Sequence, residues 1–126
     1  IQFQVPYASM LDLFAGCGQM GIEALSRGAS RVVFVDRSRE SQAVIKENLT
    51  TTGLMKQARV IADDAVSFLS HVSDKYDIIF LDPPYDEGYG PKILPLLEKA
   101  LAPGGIVLYK YGKIAVTTYV HAEDAQ

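Results

Sequence analysis

Three sets of side chains in this sequence could do chemistry together. They are Asp82-Pro83-Pro84-Tyr85, the run Asp12–Gly21 (DLFAGCGQMG), and the acids at positions 36, 63 and 64. In the first set, consecutive prolines fix φ and remove two N–H donors. The loop is therefore stiff, and its carbonyl oxygens have no competing donors beside them. The Asp82 carboxylate and the Pro83 carbonyl can both accept from an exocyclic amino group. Tyr85 offers a flat face on which a base can stack. Such an amino nitrogen is a poor nucleophile, because its lone pair is delocalised into the ring. Accepting both of its protons favours pyramidalisation and aims the lone pair at an electrophile. The displacement that follows is helped mainly by positioning and electrostatics, with no need of a metal. A Pro-Pro turn ending a strand, with Tyr85 packed on the surface, is the plainer use of the same residues.

Gly16, Gly18 and Gly21 make the pattern G-x-G-x-x-G, with Asp36 twenty residues beyond the first. This is the fingerprint of a dinucleotide site and, taken alone, suggests a nicotinamide-dependent dehydrogenase. A glycine turn opening a helix does favour an anion, but it does not say which one. Asp12 begins to discriminate. An acid four residues before Gly16 would repel a pyrophosphate, whereas it suits an α-ammonium group whose carboxylate sits on the helix N-terminus. A ligand with both groups is an amino acid, and S-adenosylmethionine is an amino acid joined to a nucleoside. Asp36 then suits the ribose hydroxyls, since a carboxylate can accept two hydrogen bonds. Asp64 could accept from the adenine amino group or could simply cap the helix that follows it. Asp63 is expected to face solvent. Met20 is expected in the core, and Arg37 and Arg39 either approach the ligand or stand at a solvated helix start.

The elements that must position these residues alternate. SMLDLF, RVVFVD, ARVIAD and YDIIFLD are short apolar runs, three of them ending on an acid. Between and after them lie helical stretches: QMGIEALSRG stopped by Gly28, SRESQAVIKENLTTTG between Ser38 and Gly53, DAVSFLSHV, and PKILPLLEKAL with Pro91 early and Pro95 inside. Continuously apolar strands separated by helices indicate a parallel sheet covered on both faces, a doubly wound α/β fold. Ligands of such sheets bind at the carboxyl ends of the strands, where Asp12, Asp36, Asp63, Asp64 and Asp82 fall. After a PGG turn, IVLYK begins a fifth strand. From Ile106 to Val120 the chain then reads as strand after strand. A crossover helix is missing there, so either the chain turns back as an edge hairpin or residues have been left out. The expectation adopted is an omission, with a break near Leu108–Tyr111.

The chain has 126 residues, enough for a single domain over 1–126 with an ordinary core. No apolar run approaches the ~18 residues of a membrane span, and no leader is read at its start. A lone cysteine, Cys17, forms no internal disulfide and fits a reducing cytoplasm. Neither histidine, His71 or His121, has a metal-ligand partner at usable spacing. Net charge is −3, with the acid concentrated beyond residue 59. That balance argues against tight binding to free nucleic acid and favours a particle whose proteins supply some of the contacts.

The segments LDLFAGCGQMGIEALSRGASRVVFVDRSRESQAVIKENL, DAVSFL and YDIIFLDPPYDEG together resemble the RsmD-type 16S ribosomal RNA guanine-N2 methyltransferases. The resemblance implies a Rossmann-like, S-adenosylmethionine-dependent methyltransferase sheet of seven strands, mostly parallel, with the last antiparallel. It also implies methyl transfer to guanine N2 of 16S rRNA, either free or in an assembling small subunit, by a cytoplasmic monomer without a metal. By the same resemblance, Asp12, Phe14, Ala15, Gly16 and Gly18 surround the methionine part of the cofactor. Asp36, with Arg37 beside it, lies at the ribose, Asp64 and Ala65 lie at the adenine, and Asp82, Pro83, Pro84 and Tyr85 lie at the target base. An N-terminal arm typical of the family is not found here, and Cys17 stands where serine is usual. Other readings of the residues stay open: adenine N6 in DNA or RNA, a protein glutamine amide, a dehydrogenase, or a binding module without catalysis.

Overall fold

A computed structural model describes residues 5–83, 89–111 and 115–120, with side chains placed for 5–83 and 91–109. Pro84 and Tyr85, two of the residues expected at the target base, lie outside the described residues, as does His121. The elements are β1 (Ser9–Leu13), α1 (Gln19–Ser26), β2 (Arg31–Asp36), α2 (Arg39–Thr52), β3 (Ala58–Ala62), α3 (Ala65–His71), β4 (Tyr76–Leu81), α4 (Tyr89–Leu97), β5 (Leu101–Tyr111) and β6 (Ala115–Val120). The strands form one sheet in the order β3-β2-β1-β4-β5-β6. All neighbours are parallel except β5 and β6, which run antiparallel. From β1 the chain proceeds outward to β2 and β3, then returns to place β4 on the other side of β1. The switch point of the sheet therefore lies between the ends of β1 and β4, where an open α/β sheet leaves a crevice.

Local signals set most boundaries. Helix α2 starts at Ser38, whose hydroxyl accepts from the Ser41 N–H, and ends at Gly53 with φ 75°. Helix α1 ends just before Gly28, and α3 is capped by Asp64. Pro95 lies inside α4 rather than in its first turn, and a 3-10 turn over Glu98–Ala100 follows the helix. The apolar alternation of β1 divides its side chains between two cores. Leu11 and Leu13 meet Leu69, Ile93 and Leu97 from α3 and α4. Met10 faces the other way, with Leu25, Ile45 and Leu49 from α1 and α2. Asp12, two residues after Met10, is thereby directed toward the α1 side and is almost fully buried, at 1% exposure.

Two expectations are corrected by the backbone. The PGG segment does not separate two elements. Tyr76 pairs with Leu101 and Ile78 with Ile106, so Ala102–Gly105 bulge out of one long β5. A break near Leu108–Tyr111 is not present: β5 continues through Tyr111, and Tyr109, Lys110 and Tyr111 pair in register with Thr117, Val116 and Ala115 of β6. The chain thus takes the edge-hairpin course, and six strands of the sheet lie among the described residues. No helix of the described residues is long and apolar enough to cross a membrane.

Candidate active site

Two cavities adjoin at the carboxyl ends of the strands. One, of about 440 Å³, is lined by Asp12, Phe14, Ala15, Gly16, Cys17, Gln19, Met20, Phe80 and Asp82. The other, of about 370 Å³, is lined by Phe14, Val35, Asp36, Arg37, Ser38, Asp63, Asp64, Ala65, Asp82 and Pro83. Phe14 and Asp82 line both, so the two spaces meet at the β1–β4 switch point.

The first cavity is shaped by the β1–α1 loop. Phe14, Gly16 and Gly18 have φ of 60°, 60° and 82°. A left-handed conformation at Phe14 costs on the order of 1–2 kcal/mol, since it has a Cβ; at the glycines it costs little. Gly18 precedes α1 and has no side chain to cap it. The acceptor comes instead from a neighbouring strand. Asp12 Oδ2 accepts from the Gly21 N–H at 3.2 Å, satisfying a donor in the first helical turn that has no partner within the helix. Gly21 itself is required by packing: a Cβ there would come within 2.2 Å of the Phe34 ring and 2.8 Å of Val32. The third glycine of the motif therefore serves helix–strand contact, and the first two serve loop conformation.

Asp36 links the two loops that flank the cleft. Its Oδ2 accepts from the Gly16 N–H and its Oδ1 from the Ser38 N–H, each at 2.9 Å. Gln42 donates to its backbone carbonyl at 2.9 Å. Asp64 Oδ2 accepts from the Val66 and Ser67 N–H groups at 3.0 and 3.2 Å, which makes it the N-cap of α3. Asp63 Oδ1 accepts from the Asp64 N–H at 2.8 Å.

Carboxylates converge here with consequences for charge. Burial pushes the Asp12 carboxyl up to about 8; the Gly21 N–H opposes the shift, and the nearby Asp82 and Asp36 charges add to it. A carboxyl in that environment ionises readily only when a cation arrives beside it. Among the described residues, no group of three or more His, Cys, Asp or Glu side chains is arranged to hold a metal.

Asp12, Ala15 and Gly16 thus stand around one cavity, Asp36, Arg37, Asp64, Ala65 and Pro83 around the other, and Phe14 and Asp82 at their junction. Gly18 is buried behind the loop instead of lining either space. Two further placements differ from expectation. Asp63 lines the cavity wall and is half-buried. Met20 is 38% exposed and lines the mouth of the first cavity, because the second residue of α1 faces the loop rather than the sheet. Its position two residues past Gly18 was the available signal. Ser38, Gln19 and Phe80 also line the cleft, and their types gave no hint of it.

Sheet order, glycine loop and strand-end cleft together define the Rossmann-like fold of the S-adenosylmethionine-dependent methyltransferases. The solved structure named "Putative methyltransferase yhhF from Escherichia coli" superposes with a TM-score of 0.79 at 32% identity, covering 90% of this chain and 65% of that one. The profile of the family described as conserved hypothetical protein 95 matches residues 1–123, and the chain belongs to that family, the RsmD family of rRNA methyltransferases. It is 45% identical over 93 residues to the Bacillus subtilis protein named "Putative rRNA methyltransferase YlbH", covering 71% of this chain and 50% of the relative. It is 37% identical over 91 residues to Ribosomal RNA small subunit methyltransferase D of Escherichia coli K12, covering 72% and 46%. The chain therefore spans about half the length of these curated relatives.

Proposed function

We propose that this chain carries S-adenosylmethionine-dependent methyl transfer to an exocyclic base amino group, guanine N2 of 16S rRNA, in free RNA or an assembling small subunit. The observation that carries the reading is Asp82, which lines both cavities at once. A group held at that junction can face a donor seated in the cleft and an acceptor entering from outside. The residues fit the cofactor. Asp12 is a buried carboxyl on the wall of the loop cavity, suited to an ammonium group, and the start of α1 suits a carboxylate. Asp36 and Asp64 stand in the second cavity with acceptor oxygens for ribose hydroxyls and an adenine amino group, and Ala65 and Phe14 supply apolar wall.

When bound, S-adenosylmethionine supplies an electrophilic methyl group on a sulfonium centre. The chain's own part is positional. Asp82 and the Pro83 carbonyl accept the two amino protons of the base, turning its lone pair outward, and Tyr85 stacks on the ring. With that donor bound, the amino nitrogen would take the methyl carbon as its bond to sulfur breaks, and Asp82 would receive the displaced amino proton. A cytoplasmic, monomeric protein of one domain over 1–126 is part of the same proposal.

The test is transfer of labelled methyl groups to small-subunit particles from a strain lacking the endogenous enzyme, followed by mapping of the product. Label on guanine N2 supports the proposal. Label on adenine N6 overturns its substrate, and binding of NAD without S-adenosylmethionine overturns its chemistry. Asp82→Ala should abolish transfer while leaving S-adenosylhomocysteine affinity within about threefold; unchanged activity would sink the role of Asp82.

A further inference from the structure

We propose that Asn48, on α2 and lining neither cavity, is a positioning residue for the glycine loop, fixing the peptide that presents the amino-acid half of the cofactor site. The inference rests on reading the cleft as an S-adenosylmethionine site. Asn48 Nδ2–H donates to the Cys17 carbonyl at 3.0 Å, across 31 residues of sequence. That carbonyl belongs to the Cys17–Gly18 peptide, whose N–H donates to the Ala15 carbonyl at 2.8 Å. One peptide plane is thus held at both of its opposed ends. It needs holding, because Gly16 and Gly18 flank Cys17 at φ 60° and 82°, and glycines leave such a plane free to rotate. A rotated plane would turn a carbonyl oxygen toward the place where a ligand carboxylate is expected.

Helix α2 is well placed to prevent this. Ile45, one turn before Asn48 on the same face, packs so closely on Gly18 that a Cβ there would lie 3.2 Å from its side chain. Asp36 holds the same loop from the other side through the Gly16 N–H. The loop therefore has an anchor on each flank, and Asn48 is the one outside the strand-end acids. A helix surface with no such task would favour a better helix former than asparagine.

The test compares two ligands by titration calorimetry: S-adenosylhomocysteine, which has the amino-acid half, and 5′-methylthioadenosine, which lacks it. Asn48→Asp keeps the shape but loses the donor and sets a carboxylate against the Cys17 carbonyl. Asn48→Ala removes the bond and favours the helix. Each should weaken S-adenosylhomocysteine about tenfold, the scale of one hydrogen bond. Methylthioadenosine should stay within about twofold, which also shows that the variants are folded. Equal weakening of both ligands, or no loss for S-adenosylhomocysteine, overturns the role of Asn48. A wild-type chain that binds neither ligand overturns the cofactor reading, and this inference with it.

Discussion

Replacing Asp12 by asparagine separates what this side chain costs from what it does. Burial, with other acids nearby, pushes the carboxyl up to about 8 from an ordinary value of 3.8. Between those values the native state holds a proton that the unfolded chain has released. The contribution of this one carboxyl to stability is therefore fullest below about pH 4 and is lost as pH rises toward 8. The gap is about 4 units, each worth about 1.4 kcal/mol, which sets a ceiling of about 5 kcal/mol at pH 8. Water entering through the cleft lowers the realised figure. Asparagine does not titrate, and its amide oxygen can keep the bond from Gly21. Asp12→Asn should match the wild type near pH 4 and exceed it by at least about 1 kcal/mol at pH 8. Urea midpoints of both proteins at pH 4, 6 and 8 measure this, because other titrating groups cancel in the difference. The same variant should bind S-adenosylhomocysteine about 10- to 100-fold more weakly at pH 8, having lost the charged partner of the ammonium group. An identical pH slope in the two proteins would refute the buried charge. Unchanged affinity would refute its role toward the ligand.

Gly21→Ala should cost about 1–3 kcal/mol in urea unfolding, since the new methyl overlaps a fully buried Phe34 ring and alanine's helix preference offsets only about 1 kcal/mol. A variant within 0.5 kcal/mol of wild type, a tolerance of about that size being usual for neutral sites, would contradict the packing role. Asp64→Ala should lose about 0.5–2 kcal/mol with the α3 cap, and Asp64→Ser should recover most of it. If Asp64→Ser also restores full S-adenosylhomocysteine affinity, Asp64 is a cap and nothing more.

The fold was legible where signals are local. Ser38 and Gly53 bound α2 because a hydroxyl cap and a left-handed glycine act within one turn of the helix they end. The strand-end acids announced the cleft because a buried parallel strand can carry a carboxylate only near its ends. Pairings across the sheet were less legible. Whether Pro103-Gly104-Gly105 ends a strand or bulges from it depends on β4 holding Tyr76 to Leu101 and Ile78 to Ile106, which lies some twenty-five residues away in sequence. The bond between Asp12 and Gly21 depends on how α1 crosses β1, and the one from Asn48 on how α2 lies over the loop. Spacing said that these residues could matter without saying to what they are tied. The glycine pattern was ambiguous for a related reason, since turn geometry and a ribose acid are shared by two cofactors.

Because Asp12 serves the fold through its bond to Gly21, an acceptor at this position is no mark of activity. A descendant that had lost its cofactor would still need one to start α1. Released from ligand binding, however, it would have no reason to keep a carboxyl whose protonation costs stability as pH rises. Asparagine would do the structural work at any pH. On the proposed role of Asp12 toward an ammonium group, drift should therefore leave an amide at position 12 in idle relatives and an acid in those that still bind.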